Sequence, residues 1–224
     1  MQNHLLLIKK TGLLFILIVF SFICKGQIRF GIFGGPQTSS AKYTIMNVKQ
    51  PCENKYGFQA GVGWKIDFEN HLYFAPAAFY SFKGYKVKFN RYLFPPDTAA
   101  IDNNVSVHTF ELAFLLQYDF GKKPDHLFIK AGPSLDFQLT GTEKFNLKTG
   151  GSVDRSMPFG FDKYGHYSAN LLIQFGYESK TGFMIFGQYT HGLMNLNNND
   201  GGPQIRYRVY GISIGKYFNK KRLL

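Results

Sequence analysis

The stretch GFQAGVGWKIDF, residues 57–68, alternates between two kinds of side chain. Apolar residues occupy every even position from Phe58 to Phe68, and glycine or polar residues occupy every odd position from Gly57 to Asp67. A repeat of two is the period of a β-strand, whereas a helix would mix the two sets around its surface. The stretch therefore predicts a strand with one apolar face and one small or polar face.

The same alternation recurs along the chain and predicts eight strands. It is clear in residues 110–120, 127–138 and 210–218, and weaker in residues 28–37, 72–84, 165–178 and 183–194. Pro76 and Pro133 fall inside strands, where a missing N–H usually marks an edge or a bulge. The connections alternate in length: short at 69–70, 121–125 and 179–182, and long and polar at 39–55, 85–104, 141–163 and 195–204.

This pattern favours a membrane barrel over a soluble sandwich. The chain has 24 Phe and 14 Tyr, yet its mean hydropathy is only −0.16. Bulky apolar residues on one face suit lipid, and glycine or polar residues on the other suit the narrow interior of eight strands. Short periplasmic turns and long external loops are typical of outer-membrane barrels. We predict an all-β, closed antiparallel eight-stranded up-and-down transmembrane barrel over residues 27–218, in a Gram-negative outer membrane with both termini periplasmic.

The two ends of the chain carry separate predictions. Residues 1–26 resemble a cleaved signal peptide, with a basic start and an apolar run over residues 13–24. That run is shorter than the roughly 20 apolar residues of a spanning helix. Lipid attachment at Cys24 is the alternative, and Ile23 stands where such processing needs a small residue. Residues 219–224 form a short basic tail, and Cys52, the one cysteine after the signal peptide, is predicted to lie in a loop without a disulfide.

Several segments resemble the PorT-like outer-membrane β-barrel family of Bacteroidetes, which carries an outer membrane protein β-barrel domain. The segments that carry the resemblance are residues 31–35, 80–85, 110–118, 131–133 and 211–218. The chain departs from the family at Ala113, where proline is usual, and in its tail after Phe218. The resemblance implies the barrel fold and an accessory role in type IX protein secretion.

The predicted register places a set of charged residues inside the barrel. Isolated ions are expensive in a narrow lumen, so these residues are expected to pair and to plug the interior rather than to line an ion pathway. The set is Arg29, Lys65, Asp67, Lys83, Glu111, Asp119, Lys130, Asp136 and Glu178.

One arrangement raises an enzymatic alternative. His166 and Ser168, with Glu178 on the same strand, resemble the catalytic set of lipid A deacylase barrels, with Ser168 as nucleophile and His166 as base. Ten residues of strand separate Ser168 from Glu178 by about 33 Å, which is too far for a triad. The histidines are scattered over both barrel ends, so we predict no metal site, no cofactor and no enzymatic activity.

Basic residues are predicted at both ends of the barrel. Those at the outer end can meet lipopolysaccharide phosphates or simply form a solvated surface, and the location argues against nucleic acid. They are Lys42, Lys49, Lys55, Lys86, Lys88, Arg91, Arg206 and Arg208. Those at the periplasmic rim can end the apolar belt or bind an acidic periplasmic or secretion-machinery protein, and they are Lys122, Lys123, Lys216, Lys220, Lys221 and Arg222.

The function predicted from these features is a structural or interaction role in the outer membrane, with an accessory part in type IX secretion as its most specific version. A lipid-modifying enzyme and a small-solute channel are the alternatives.

Overall fold

A computed structural model describes residues 28–90, 99–121 and 123–218, which form β-strands joined by turns and loops. The strands are β1 Ile28–Ile45, β2 Val48–Gln50, β3 Cys52–Glu69, β4 Leu72–Lys88, β5 Asp102–Phe120, β6 His126–Asn146, β7 Ser152–Ser156, β8 Tyr167–Glu178, β9 Phe183–Gly192 and β10 Gln204–Phe218. These described residues include no helix long and apolar enough to cross a membrane. The predicted signal peptide and tail lie outside them, as do Arg91, Lys122, Lys220, Lys221 and Arg222.

Eight long strands form a closed antiparallel ring. They follow one another around it in chain order, β1, β3, β4, β5, β6, β8, β9 and β10, and β10 pairs back with β1 from Phe30–Phe218 to Thr44–Gln204. The short strands β2 and β7 fold back on the ends of β1 and β6. The prediction of an eight-stranded up-and-down barrel is therefore confirmed, and ring closure removes the exposed sheet edges of an open sheet.

The two ends of the barrel differ in their connections. At the turn end, short turns join β3 to β4, β5 to β6 and β8 to β9. Gly182 in the last turn has a φ of +80°, and a Cβ there would lie 2.5 Å from the carbonyl oxygen of Tyr217, so the turn needs glycine. The longer connections after β1, β4, β6 and β9 meet at the opposite end, the loop end.

The wall near the turn end is apolar outside, and its inner face combines polar and charged residues with a layer of apolar ones. On β5, Phe114 and Leu116 are about half exposed, whereas Glu111, Gln117 and Asp119 on the opposite face are buried. Aromatic residues ring this belt on both sides: Phe30 contacts Trp64 towards the turn end, and Tyr189 contacts Tyr210 towards the loop end. An apolar band about 25 Å tall between two aromatic girdles is the surface that a bilayer covers.

Beyond the loop-end girdle the strands continue and their two faces exchange character. On β5, Val105 and Val107 point inward and are fully buried, whereas Asn104 and Ser106 point outward. Here the outer wall faces water, so the apolar residues move inside, as in a soluble barrel.

The predicted long loops were therefore too long. Strand β1 runs to Ile45, β3 begins at Cys52, β4 runs to Lys88, β5 begins at Asp102 and β6 runs to Asn146. Cys52 accordingly lies in a strand rather than in a loop, and it is a free thiol. The polar residues that suggested loops cover the outside of strands whose inner face is packed.

Candidate functional site

The lumen at the turn end is filled by a turn-end cluster of Arg29, Lys65, Asp119, His126 and Glu178. The Lys65 amine lies 2.5 Å from Asp119 Oδ2 and 2.9 Å from Glu178 Oε2. Arg29 Nη1 is 2.5 Å from Glu178 Oε1, and His126 Nε2 is 3.0 Å from Asp119 Oδ2. Each carboxylate therefore contacts at least two nitrogen groups, which offsets the cost of removing it from water.

A layer of aromatic side chains lies next to this cluster. Phe33 packs edge-to-face on Phe79 and Phe186, with ring centroids 5.6 and 5.7 Å apart. Lys130 extends into the layer, donates to the Tyr217 hydroxyl at 3.2 Å and lies 4.8 Å from the centroid of the Phe128 ring. Within the described residues it forms no ion pair, so this predicted member of the charge network is held by aromatic faces and one hydroxyl.

Lys83 forms the centre of a second buried charge group. Its amine pairs with Asp136 and lies 3.8 Å from Glu111 Oε2, and the Ser134 hydroxyl donates to Glu111 at 2.5 Å. Amides complete this level of the lumen, since Gln188 donates to Gln59 at 2.6 Å, and other bonds join Gln59 to Ser213, Gln37 to Ser81 and Gln174 to Gln188.

The loop end is closed by an apolar plug. Its members are Ala41, Tyr43, Ile45, Tyr85, Val87, Val105, Val107, Met157, Leu196, Ile205, Tyr207 and Val209, with Cys52, Phe89, Phe159 and Tyr164 packed against them. Glu143 is fully buried beside the plug, where it pairs with Arg155 at 3.0 Å and accepts from Asn103 and Tyr164. Burial and the Glu143 carboxylate raise the pKa of the Tyr164 hydroxyl, which therefore stays protonated and donates.

These layers fill the lumen of the described barrel from end to end. A cavity lined by Phe33, Lys130 and Tyr217 has a volume of about 10 Å³, roughly the space that one water molecule needs. The arrangement leaves no room there for a stream of hydrated ions.

Two differences separate the predicted charge network from the observed one. Asp67 shares the parity of the inward residues Gly63 and Lys65, but it lies exposed towards the end of β3 and forms no ion pair with the described residues, so it does not join the turn-end cluster. His126 was missed, although it opens β6 on the same parity as the inward residues Phe128 and Lys130. Continuing the inward alternation of β6 two residues beyond Phe128 towards the turn predicts that His126 faces the lumen.

The residues of the enzymatic alternative are not brought together. Ser168 is buried and lies 3.5 Å from Asp136 Oδ2, whereas His166 precedes β8 and is exposed against the ring of Phe159. Glu178 lies at the turn end with Arg29 and Lys65. In the described ranges, no group of three or more histidine, cysteine or acidic residues is placed to hold a metal ion.

The basic residues of the outer wall fall into different environments. Lys88 pairs with Glu53 at 2.5 Å, and the Lys55 amine is bonded to Asn104 and Ser106. Lys49 is exposed in β2, and Lys86 is half-buried on β4. Three others lie together on β1 and β10: Lys42, Arg206 and Arg208. Of the predicted periplasmic rim, the described residues include Lys123 and Lys216, both exposed towards the turn end.

Comparisons with known proteins agree with this architecture. A family model for the outer membrane protein β-barrel domain matches residues 20–198, which is most of the chain. The match concerns the general domain, and the narrower PorT-like resemblance stays a prediction. No curated protein matched the chain.

Solved structures resemble the barrel at low sequence identity. The outer membrane protein OprG from Pseudomonas aeruginosa is 14% identical, with a TM-score of 0.51 over 87% of this chain and 98% of that one. Ail, the attachment invasion locus protein of Yersinia pestis, in complex with the heparin analogue sucrose octasulfate, is 15% identical, with a TM-score of 0.43 over 86% of this chain and 99% of that one. At 14% identity, the likeness to OprG concerns the fold alone.

Proposed function

The chain belongs to the outer membrane protein β-barrel domain family, and from this membership and its filled lumen we propose that it is a sealed, non-enzymatic barrel that acts through surface contacts. The observation that carries the proposal is the continuous filling of the lumen, from the turn-end cluster through Lys83 to the apolar plug. A barrel without a pathway works through what its two ends and its outer wall contact.

The two alternatives lack support in the packing. A channel would need an aqueous path, and eight strands leave an interior that side chains fill. A lipid-modifying enzyme would need Ser168 beside a histidine base, but His166 faces solvent and Ser168 faces Asp136.

Conductance in planar lipid bilayers tests the sealed lumen. The refolded protein is expected to give no stable current steps, with a known porin in the same bilayer system as positive control. Insertion is verified by the shift in gel mobility between unheated and boiled samples. Regular porin-like steps from inserted protein would contradict the proposal.

The proposal also includes an orientation, with the turn end in the periplasm and the loop end outside. The support is the length difference between connections, since outer-membrane barrels have short periplasmic turns and longer external loops. The test uses a Cys52→Ser background carrying either Asn199→Cys at the loop end or Thr181→Cys at the turn end. A membrane-impermeant maleimide applied to intact cells should label the Asn199→Cys variant and spare the Thr181→Cys variant, and the reverse pattern would overturn the orientation.

A more specific version is an accessory role in protein secretion, supported by the resemblance to PorT-like barrels. Lys123 and Lys216 would then contribute to a basic periplasmic surface for an acidic partner. Gene deletion in the native host, followed by mass spectrometry of medium and periplasm, should show secretion cargo retained in the periplasm. An unchanged set of secreted proteins would exclude this version and leave the sealed barrel intact.

A further inference from the structure

The outer face of β10 changes from apolar to basic along a single strand. From the turn end, Ile214, Ile212 and Tyr210 point outward and are more than half exposed, and Arg208 and Arg206 follow on the same face. Tyr210 packs on Tyr189 with ring centroids 4.8 Å apart, as part of the loop-end girdle. Aromatic girdles lie at the level of lipid headgroups, so the two arginines begin where the acyl chains end.

Strand pairing brings a third cation to these arginines. Lys42 of β1 is the direct partner of Arg206 across the barrel closure, and both are exposed on the outer wall. Arg208 is the next outward residue, opposite Ser40 of β1 and His191 of β9. Side chains directly opposite one another on neighbouring strands have Cβ atoms about 5 Å apart, so these cations form one patch.

The patch has no internal neutralisation. In the part of the chain that the structure describes, Lys42, Arg206 and Arg208 form no ion pair, whereas Lys88 on another sector of the wall is paired with Glu53. Like charges directly opposite on a sheet are destabilising. A bound anion would remove that repulsion, and guanidinium groups match the geometry of phosphate.

We propose that Lys42, Arg206 and Arg208 form a binding site for the phosphate groups of the outer-leaflet glycolipid, with Tyr189 and Tyr210 against its sugar and acyl boundary. The inference rests on the proposed function, because it requires the loop end to be outside. A lipid phosphate fits better than a dissolved anion because the patch borders the apolar belt, where the acyl chains anchor the phosphate at this height.

The test measures binding of phosphorylated lipid A to the purified full-length protein in neutral detergent, by native mass spectrometry. The triple variant Lys42→Gln, Arg206→Gln, Arg208→Gln is compared with a control of equal charge change, Lys144→Gln, Lys148→Gln, Lys163→Gln, which alters three exposed lysines elsewhere at the loop end. Each cation near a lipid surface contributes about fivefold, so the site variant should bind about a hundredfold more weakly. The control should bind as the unmodified chain does.

Three results would overturn the site. Equal weakening in both triple variants would show diffuse attraction to the whole loop end. Undiminished binding of enzymatically dephosphorylated lipid A would show that phosphate is not recognised. Displacement of lipid A by inorganic phosphate at the same concentration as lipid A itself would show a site for free anions. The gel-mobility shift reports that each variant is folded, and the cysteine labelling and conductance experiments test the proposed function separately.

Discussion

The two halves of the lumen are filled by different mixtures of charged and apolar side chains. Towards the turn end, Lys65 sits between Asp119 and Glu178, and further in Lys83 sits between Asp136 and Glu111. At the loop end, tyrosines and aliphatic residues form the apolar plug. Behind the apolar belt, the interior combines charged and amide groups with the aromatic layer around Phe33, Phe79 and Phe186. Beyond the loop-end girdle, where the outer wall is polar, the interior is mainly apolar.

The two fillings respond differently to substitution. A buried ion group adds little net stability over an apolar replacement, but loss of one member leaves the others charged and unpaired. Substitutions that shorten side chains in the apolar plug lower stability in proportion to the volume removed. A buried hydroxyl there that has no hydrogen-bond partner also lowers stability.

The largest expected effect is the loss of Lys83. Lys83→Met would leave Asp136 and Glu111 without their cation and should lower the free energy of unfolding by about 3–5 kcal/mol. Lys86→Met on the outer wall of the same strand is the control, with an expected change within about 0.5 kcal/mol. Urea unfolding in lipid vesicles measures both, and equal effects would contradict a buried charge group at Lys83.

The exchange of faces along the wall is tested by placing one charge at two heights. Phe114→Arg puts a cation in the apolar belt and should cost about 2–4 kcal/mol, whereas Thr142→Arg on the neighbouring strand, beyond the girdle, should cost about 0–1 kcal/mol. Unfolding in vesicles again gives the values. Similar costs at the two positions would mean that the belt does not end at the loop-end girdle.

Two tyrosines at the loop end should respond with opposite sign. The Tyr85 hydroxyl is buried without a hydrogen-bond partner among the described residues, so Tyr85→Phe should stabilise the protein by about 1 kcal/mol. The Tyr164 hydroxyl donates to buried Glu143, so Tyr164→Phe should destabilise it by about 1–3 kcal/mol. Thermal unfolding followed by circular dichroism distinguishes the signs, and loss of stability in Tyr85→Phe would indicate a more polar plug.

The smallest expected effect concerns a turn outside the membrane belt. The Lys180 amide and the Tyr177 hydroxyl donate to Asp125 at 2.9 and 3.1 Å and lower the pKa of this carboxyl below its ordinary 3.8. The stabilisation is present above pH 3.8 and is lost as the pH falls through the lowered pKa. The NMR shift of the Lys180 amide should stay constant down to about pH 4 and change only below it, and Asp125→Asn should abolish the change.

The predictable part of the molecule is the belt. Alternation in residues 57–68 and 110–120 predicted strands with the correct outward face, and the succession of eight such segments predicted an up-and-down ring. The extensions were missed because their apolar parity is reversed: Val105 and Val107 are odd-numbered, whereas Phe110 and Phe114 are even-numbered. A strand that changes solvent partway shows no single pattern.

The sequence by itself determined the number of long strands, the apolar face of each belt segment and the small number of candidate catalytic or metal-binding motifs, because these depend on local period and composition. Only the tertiary structure decided which distant residues meet. Ring closure set Lys42 beside Arg206, and the inward faces of three strands brought Arg29, Lys65 and Glu178 together. The pairing register between strands depends on the whole ring. The turn-end cluster and the basic patch each combine residues from different strands, so no single segment of the sequence predicts either of them.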